Sequence, residues 1–345
     1  MTKLAVVGIG LVSPLGLTPE EHAFFLRAEV HPATPGGFVD GEGAPLRAAY
    51  CPWLGARLPV AMRLTALAQT ALRSALAPVA GPPLVNETGR ISAALHVVTS
   101  APRTGLTSED RAALEADLAG AFDPSTATRA AGEAAFFGAL ASAAARLQQG
   151  PAQAVVIVAA DSLICEGPLA EWQRLRQMPW EADLPLAGEV AAAVTVMLPA
   201  FARRAGIEIL ATIHHAATAQ GEANDDNDAI IDGAAMTALL RALPPIGGPV
   251  RASFGPHGMG SLRRREWEMA AARLPGHVDS TCDFVCLESR IGTAGAAAGA
   301  AGLVYGIAVQ RHGTWASPRA ADAPFVAWAI SPDGTRGLAA ATAEA

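Results

Sequence analysis

The chain has 345 residues, 51% of them hydrophobic and 17% charged, with a formal net charge of −7. That length and apolar content suit two core units or one fused pair. The acidic balance and the lack of a basic stripe exclude a nucleic-acid surface.

Lys3 is the only lysine, so no lysine amine serves chemistry in the body of the chain. The run KLAVVGIG (3–10) is apolar and ends in glycines, as expected of a strand buried on both faces. Glycines and Pro14 interrupt the first sixteen residues, and a charged n-region is missing, so they read as a strand and turn rather than a signal peptide. Thr18 is placed as the N-cap of a helix with Pro19 in its first position. Residues 30–58, rich in Pro and Gly, read as irregular. A helix is expected over 61–79, a strand over 90–100 and a capped amphipathic helix over 107–122. RAAGEAAFFGALASAAARLQQG (129–150) reads as a turn running into a helix of small and apolar residues. A strand at 153–160 and a short helix at 167–176 follow.

Residues 189–215 read as two strands joined by a turn at Arg204–Gly206. Then come a helix over 227–243, a strand ending in a glycine loop at 248–261, a charged and exposed helix at 263–274, and a strand at 282–289. A second small-residue helix spans 292–313, and a hairpin around Asp333-Gly334 closes the chain. Ala294–Ala301 is too short and glycine-rich to span a membrane. Cys51, Cys165, Cys282 and Cys286 form no CxxC pair and read as reduced thiols of a cytoplasmic protein. His214 and His215 read as an incidental pair. No metal and no cofactor is expected.

Two segments echo each other. Around 133–149 and 293–310 a glycine turn leads into a helix of Ala and Gly with little polarity on any face, and such a helix must be buried between layers. Duplicated halves, 1–200 and 201–345, stacked as an α/β fold with layers α-β-α-β-α, are the expected architecture.

Four stretches carry a family resemblance. VVGIGLVSPLG (Val6–Gly16) resembles the opening strand and turn of the β-ketoacyl synthases, of the thiolase superfamily. Ala187–Ile213 is similar to their glycine-glutamate strand and the arginine-rich turn after it. PHGMGS (256–261) is similar to their histidine loop, His-Gly-Thr-Gly-Thr. GAAAGAAG (Gly295–Gly302) is similar to their second histidine turn, Gly-His-Thr-x-Gly-Ala-Ala-Gly. The matches run in family order over nearly the whole chain. The resemblance implies a thiolase-like five-layered fold and a dimer formed through the strand after the elbow helix, here Ala154–Ala160. It also implies acyl transfer by an elbow cysteine thiolate, with two histidines supporting decarboxylation.

The chemistry departs from that pattern. Glu133 stands in the cysteine position, His257 keeps the first histidine, and Ala296 replaces the second. The family lysine is missing, and SPDGTRG stands where a glycine loop normally gives a donor to the oxyanion hole. Glu133 has three readings: a mimic of the acyl thioester, a base toward a bound acid, or an acid favoured at a helix N-terminus by about 0.3–1 kcal/mol. The sequence therefore reads as a catalytically degenerate ketosynthase-like binding or adaptor subunit, a homodimer or a heterodimer with a ketosynthase-like chain. Arg263, Arg264, Arg265 and Trp267 form a solvated face or a partner-binding patch. Residues 263–274 and 327–337 are similar to ketosynthase-like proteins of type VI secretion effector clusters, which points to effector or spike-adaptor partners. A chain-length-factor-like partner of a ketosynthase is the other setting. An active 3-oxoacyl-ACP synthase-type acyltransferase is the competing class, and needs another cysteine to reach the pocket.

Overall fold

The computed structural model describes residues 2–28, 34–39, 43, 45–55, 57–81, 84–85, 89–122, 128–150, 152–176, 186–222, 232–257, 262–313 and 323–344. The glycine loop after His257 and the first part of the helix expected over 227–243 lie outside them. In chain order the elements are β1 (Leu4–Val12), α1 (Pro19–Arg27), β2 (Thr34–Val39), β3 (Pro45–Ala48), α2 (Val60–Leu76), β4 (Ala94–Thr99), α3 (Ser108–Ala119), β5 (Thr128–Ala131), α4 (Ala135–Gln149), β6 (Ala154–Ser162), α5 (Glu166–Arg176) and β7 (Glu189–Met197). There follow α6 (Pro199–Arg204), β8 (Ala211–Gln220), α7 (Ala234–Arg241), β9 (Val250–Gly255), α8 (Leu262–Arg273), β10 (Val278–Cys286), α9 (Glu288–Ile291), α10 (Ala298–Arg311), β11 (Phe325–Ile330) and β12 (Thr335–Ala343).

The strand pattern repeats. β1-β7-β6-β4-β5 are joined antiparallel, antiparallel, parallel and parallel. β8-β12-β11-β9-β10 follow the same sequence of pairings. A short antiparallel contact of β1 with β8 links the two runs. α4 precedes β6 as α10 precedes β11, so the two small-residue helices occupy equivalent places.

The central strands feed two cores, which is why they read as continuous apolar runs. In β6, Val155, Ile157 and Ala159 face the central core, and Ala154, Val156, Val158 and Ala160 face an outer one. In β11, Phe325, Ala327 and Ala329 face the centre while Val326, Trp328 and Ile330 face the opposite outer layer. α2 covers β1, β6 and β7 from outside, α7 and α8 cover the second sheet, and α4 with α10 fill the middle. The result is the expected five-layered thiolase-like α/β architecture.

Small residues allow the close approach. A Cβ at Gly10 would lie 2.0 Å from the Ala71 carbonyl oxygen of α2, and one at Gly299 of α10 would lie 2.7 Å from the Phe137 ring of α4. α10 is buried from Ala298 to Gln310. α4 departs from expectation: Ser142, Ala145, Gln148 and Gln149 are exposed. Alanine suits either environment, so a run of small residues does not reveal which face is wet.

Other expectations are corrected. Residues 30–58 contain the β2–β3 ribbon, and β5 occupies part of the segment read as a turn. α6 lies between β7 and β8, which are separated in the sheet by β1. His214 and His215 lie within β8. α8 is not an exposed helix, because Glu266, Trp267 and Ala270 are buried. The strand Ala154–Ala160 is flanked on both sides, by β4 and β7, and has no free edge for a partner. β5 lies at the end of the sheet instead, with Thr128, Arg129 and Ala131 exposed.

Candidate functional site

The turn before α4 passes through Gly132, whose φ of 109° favours glycine, and delivers Glu133 to the N-terminal end of the helix. Arg263 Nη1, from the start of α8, lies 3.3 Å from both Glu133 oxygens. His257 Nε2, just after β9, lies 3.9 Å from Glu133 Oε2. Glu133 keeps 18% of its side-chain exposure. Burial raises its carboxyl to about 7; Arg263 opposes this, while Asp161 and Asp333 add to it.

His257 is buried, and its Nε2 has no hydrogen-bond partner. Burial, reinforced by Arg263, holds the imidazole well below its usual range, so it is neutral. Its ring lies against Trp328, with centroids 5.6 Å apart. Glu288, at the start of α9, is buried as well. Burial first, and Glu133 second, raise its carboxyl well above the usual range. It accepts the Ala294 N–H at 3.2 Å. Ala296 brings only a methyl group to the second histidine position, and its N–H donates to Asp161 Oδ2 at 2.9 Å. Asp161 also pairs with Arg103 at 2.7 Å.

Several backbone donors near the elbow are engaged. The Ala134 N–H donates to Ser331 Oγ at 2.8 Å. In the closing hairpin the Ser331 N–H donates to the Thr335 carbonyl, the Gly334 N–H to the Ser331 carbonyl, and the Thr335 N–H to Asp333 Oδ1. An oxyanion hole needs donors aimed at the reacting oxygen, and these are directed elsewhere.

No family model matches the chain, and no curated protein matches it significantly. Solved structures do. The ishigamide ketosynthase/chain length factor superposes with a TM-score of 0.68 at 20% identity, covering 99% of this chain and 100% of that one. A type II PKS acyl-carrier protein in complex with its ketosynthase bound to the hexaketide gives a chain matching with a TM-score of 0.74 at 16% identity, covering 99% and 100%. The ketosynthase from module 1 of the bacillaene synthase of Bacillus amyloliquefaciens FZB42 gives 0.69 at 14% identity, covering 99% of this chain and 76% of that one. This chain has the thiolase-like ketosynthase fold.

Within that fold Glu133 and His257 come together, and Arg263 joins them. Trp267 is a core residue: it is 4% exposed and stacked on Trp328. Arg264 lies over the Phe284 ring, 3.8 Å from its centroid, and pairs with Glu268 at 2.7 Å. Arg265 is exposed. Cys286 comes near the site, its Sγ donating to the Pro256 carbonyl at 3.3 Å, but burial raises this thiol, so it is not activated. Among the described residues no cluster of three metal-ligating groups exists, and no helix is long and apolar enough to cross a membrane.

Asp161, Glu288 and the pair of Arg63 with Glu189 went unnoticed in the sequence. Asp161 carried a usable signal, an acid ending the apolar run AVVIVAAD. Glu288 carried none.

Proposed function

We propose that this chain is a non-condensing ketosynthase-like subunit of the cytoplasm that works by binding and pairs with a second ketosynthase-like chain. The observation that carries this is the carboxyl of Glu133 in the nucleophile's place, buried and held by Arg263. A carboxyl there cannot take up an acyl group as a thioester, and its charge repels a malonyl carboxylate. Ala296 and the engaged hairpin donors support the same reading. The open edge at β5 offers a place for a partner strand. Two structural neighbours are a ketosynthase/chain length factor and a ketosynthase in complex with an acyl-carrier protein, which favours a chain-length-factor-like role.

The type VI secretion setting has no support among these neighbours. The two segments that resemble that group, 263–274 and 327–337, pack on each other through the Glu266–Arg336 ion pair, at 2.8 Å, and the Trp267–Trp328 stack. Of the four proposed partner-binding residues, Arg265 is exposed, Arg263 and Arg264 are part-buried and Trp267 is buried.

Intact-mass analysis after incubation with acyl- and malonyl-carrier-protein thioesters tests the proposal, with and without a co-expressed ketosynthase from a neighbouring gene. The expected result is no adduct on any of the four cysteines and a stable heterodimer on gel filtration. A stoichiometric acyl adduct on Cys286 or another cysteine would restore the condensing-enzyme reading.

A further inference from the structure

We propose that the elbow is a binding site for a primary ammonium group carried on a small uncharged chain, held between the Glu133 carboxylate and the His257 imidazole. The inference rests on the reading that the elbow no longer performs acyl transfer. Two polar atoms of these side chains face each other 3.9 Å apart, too far for a mutual hydrogen bond. A nitrogen lying to one side of the line joining them, about 2.8–2.9 Å from each, would bridge the two. The His257 Nε2 is unpartnered on a side chain that is 6% exposed, and an unmade hydrogen bond at such a site costs about 1–3 kcal/mol. A neutral imidazole with its proton on Nδ1 presents a lone pair at Nε2. The pair then offers two acceptors, which calls for a group bringing two N–H donors.

The surrounding charges select the cation. Asp161 of β6, Glu288 of α9 and Asp333 of the hairpin face Glu133 along with Arg263 of α8. Arg103 answers Asp161, and Arg263 is the counter-ion that a ligand must displace, from a long contact of 3.3 Å. Glu288, raised well above the usual range, adds little charge, but Asp161 and Asp333 together with Glu133 offset Arg103 and Arg263, so a further carboxylate is disfavoured and an ammonium favoured. No metal-ligand grouping exists among the described residues, which favours a cation that donates hydrogen bonds over one that is coordinated. Glu133, raised to about 7, is part-protonated near neutrality, so taking up a cation expels a proton to the buffer and binding strengthens as pH rises through about 7.

Calorimetry and thermal shift with butylammonium, butyramide and butyrate test this on the full chain. The expected result is stabilisation by butylammonium alone, tightening with pH, with a heat that varies with the buffer's ionisation enthalpy. Glu133→Gln and His257→Phe should each weaken it about tenfold or more, a loss of about 1.4 kcal/mol. Arg263→Gln, which removes the competing guanidinium, should tighten it, and this gain keeps the test decisive if the first two variants fold poorly. Equal binding of butyramide or butyrate, no binding of butylammonium, or weaker binding by Arg263→Gln overturns the proposal. A cysteine acyl adduct is a separate result, and it alone overturns the non-condensing reading.

Discussion

The indole of Trp267 lies flat on that of Trp328, with centroids 5.2 Å apart and planes within 6° of parallel. Trp328 is fully buried and donates its Nε1–H to Ser253 Oγ at 2.9 Å. It also lies against the His257 ring, so the stack joins α8 to the wall of the elbow site. Trp267→Ala should therefore lower the unfolding free energy by about 3–5 kcal/mol, as for a large buried aromatic. Arg265→Glu on the same helix should stay within about 0.5 kcal/mol of wild type. Chemical denaturation of both variants checks this; an unchanged midpoint for Trp267→Ala would return that side chain to the surface.

The Glu133 carboxyl, at about 7 in the folded chain and near 4.5 unfolded, binds a proton more tightly when folded. Folding thus takes up a proton between these values, and stability falls as pH rises across that window. The shift corresponds to about 3 kcal/mol at most. The helix dipole supplies only about 0.3–1 kcal/mol in the other direction, so burial wins. Relative to Glu133→Gln, wild type should lose stability progressively from pH 4.5 to 7. Denaturation midpoints across that range would show it; parallel curves for the two proteins would refute it.

His22 works in the opposite direction. It is buried, its Nδ1 lies 2.7 Å from the Thr18 carbonyl and its Nε2 lies 2.6 Å from Ser13 Oγ. Burial lowers its pKa to about 4 from 6.5. The unfolded chain therefore binds this proton first, and stability is lost as pH falls from about 6.5 to about 4, by about 3 kcal/mol at most. His22→Gln should remove that part of the acid sensitivity. The difference between the two acid-denaturation curves is the measurement.

Arg63 and Glu189 are both fully buried and joined at 2.6 Å. Glu189 also accepts the Cys51 N–H and the Ser162 hydroxyl. Glu189→Ala would leave a guanidinium unpaired in the core, at a cost of about 3–5 kcal/mol. Replacing both partners by Met and Leu should cost less, because neither charge is then stranded. Urea titration of the single and double variants compares them; equal losses would contradict the pairing argument.

Gly10→Ala and Gly299→Ala should differ. At Gly10 the added methyl meets a backbone oxygen at 2.0 Å, so β1 and α2 must separate, whereas at Gly299 it meets a side-chain ring. A loss of about 1–3 kcal/mol is expected at Gly299 and a larger one at Gly10. Thermal melts of the two variants decide the order.

The sequence by itself determined the buried strands, the two central helices and their repetition, but not the β2–β3 ribbon or the edge strand β5. A strand sandwiched between helical layers must be apolar on both faces, and that constraint is written residue by residue. It also placed Glu133, His257 and Ala296 in register with a family pattern, since those positions follow fixed turns. Only the tertiary structure decided what surrounds them. Arg263, Asp161 and Asp333 carry no local periodicity that ties them to Glu133, yet its burial first and their charges after it set its protonation. Trp267 and Arg263 look like surface anchors in a charged helix until β11 and the elbow are brought against them. Local pattern records what a residue's own element requires; the partner across the core, and with it the dielectric and the charge, is fixed only when the layers close.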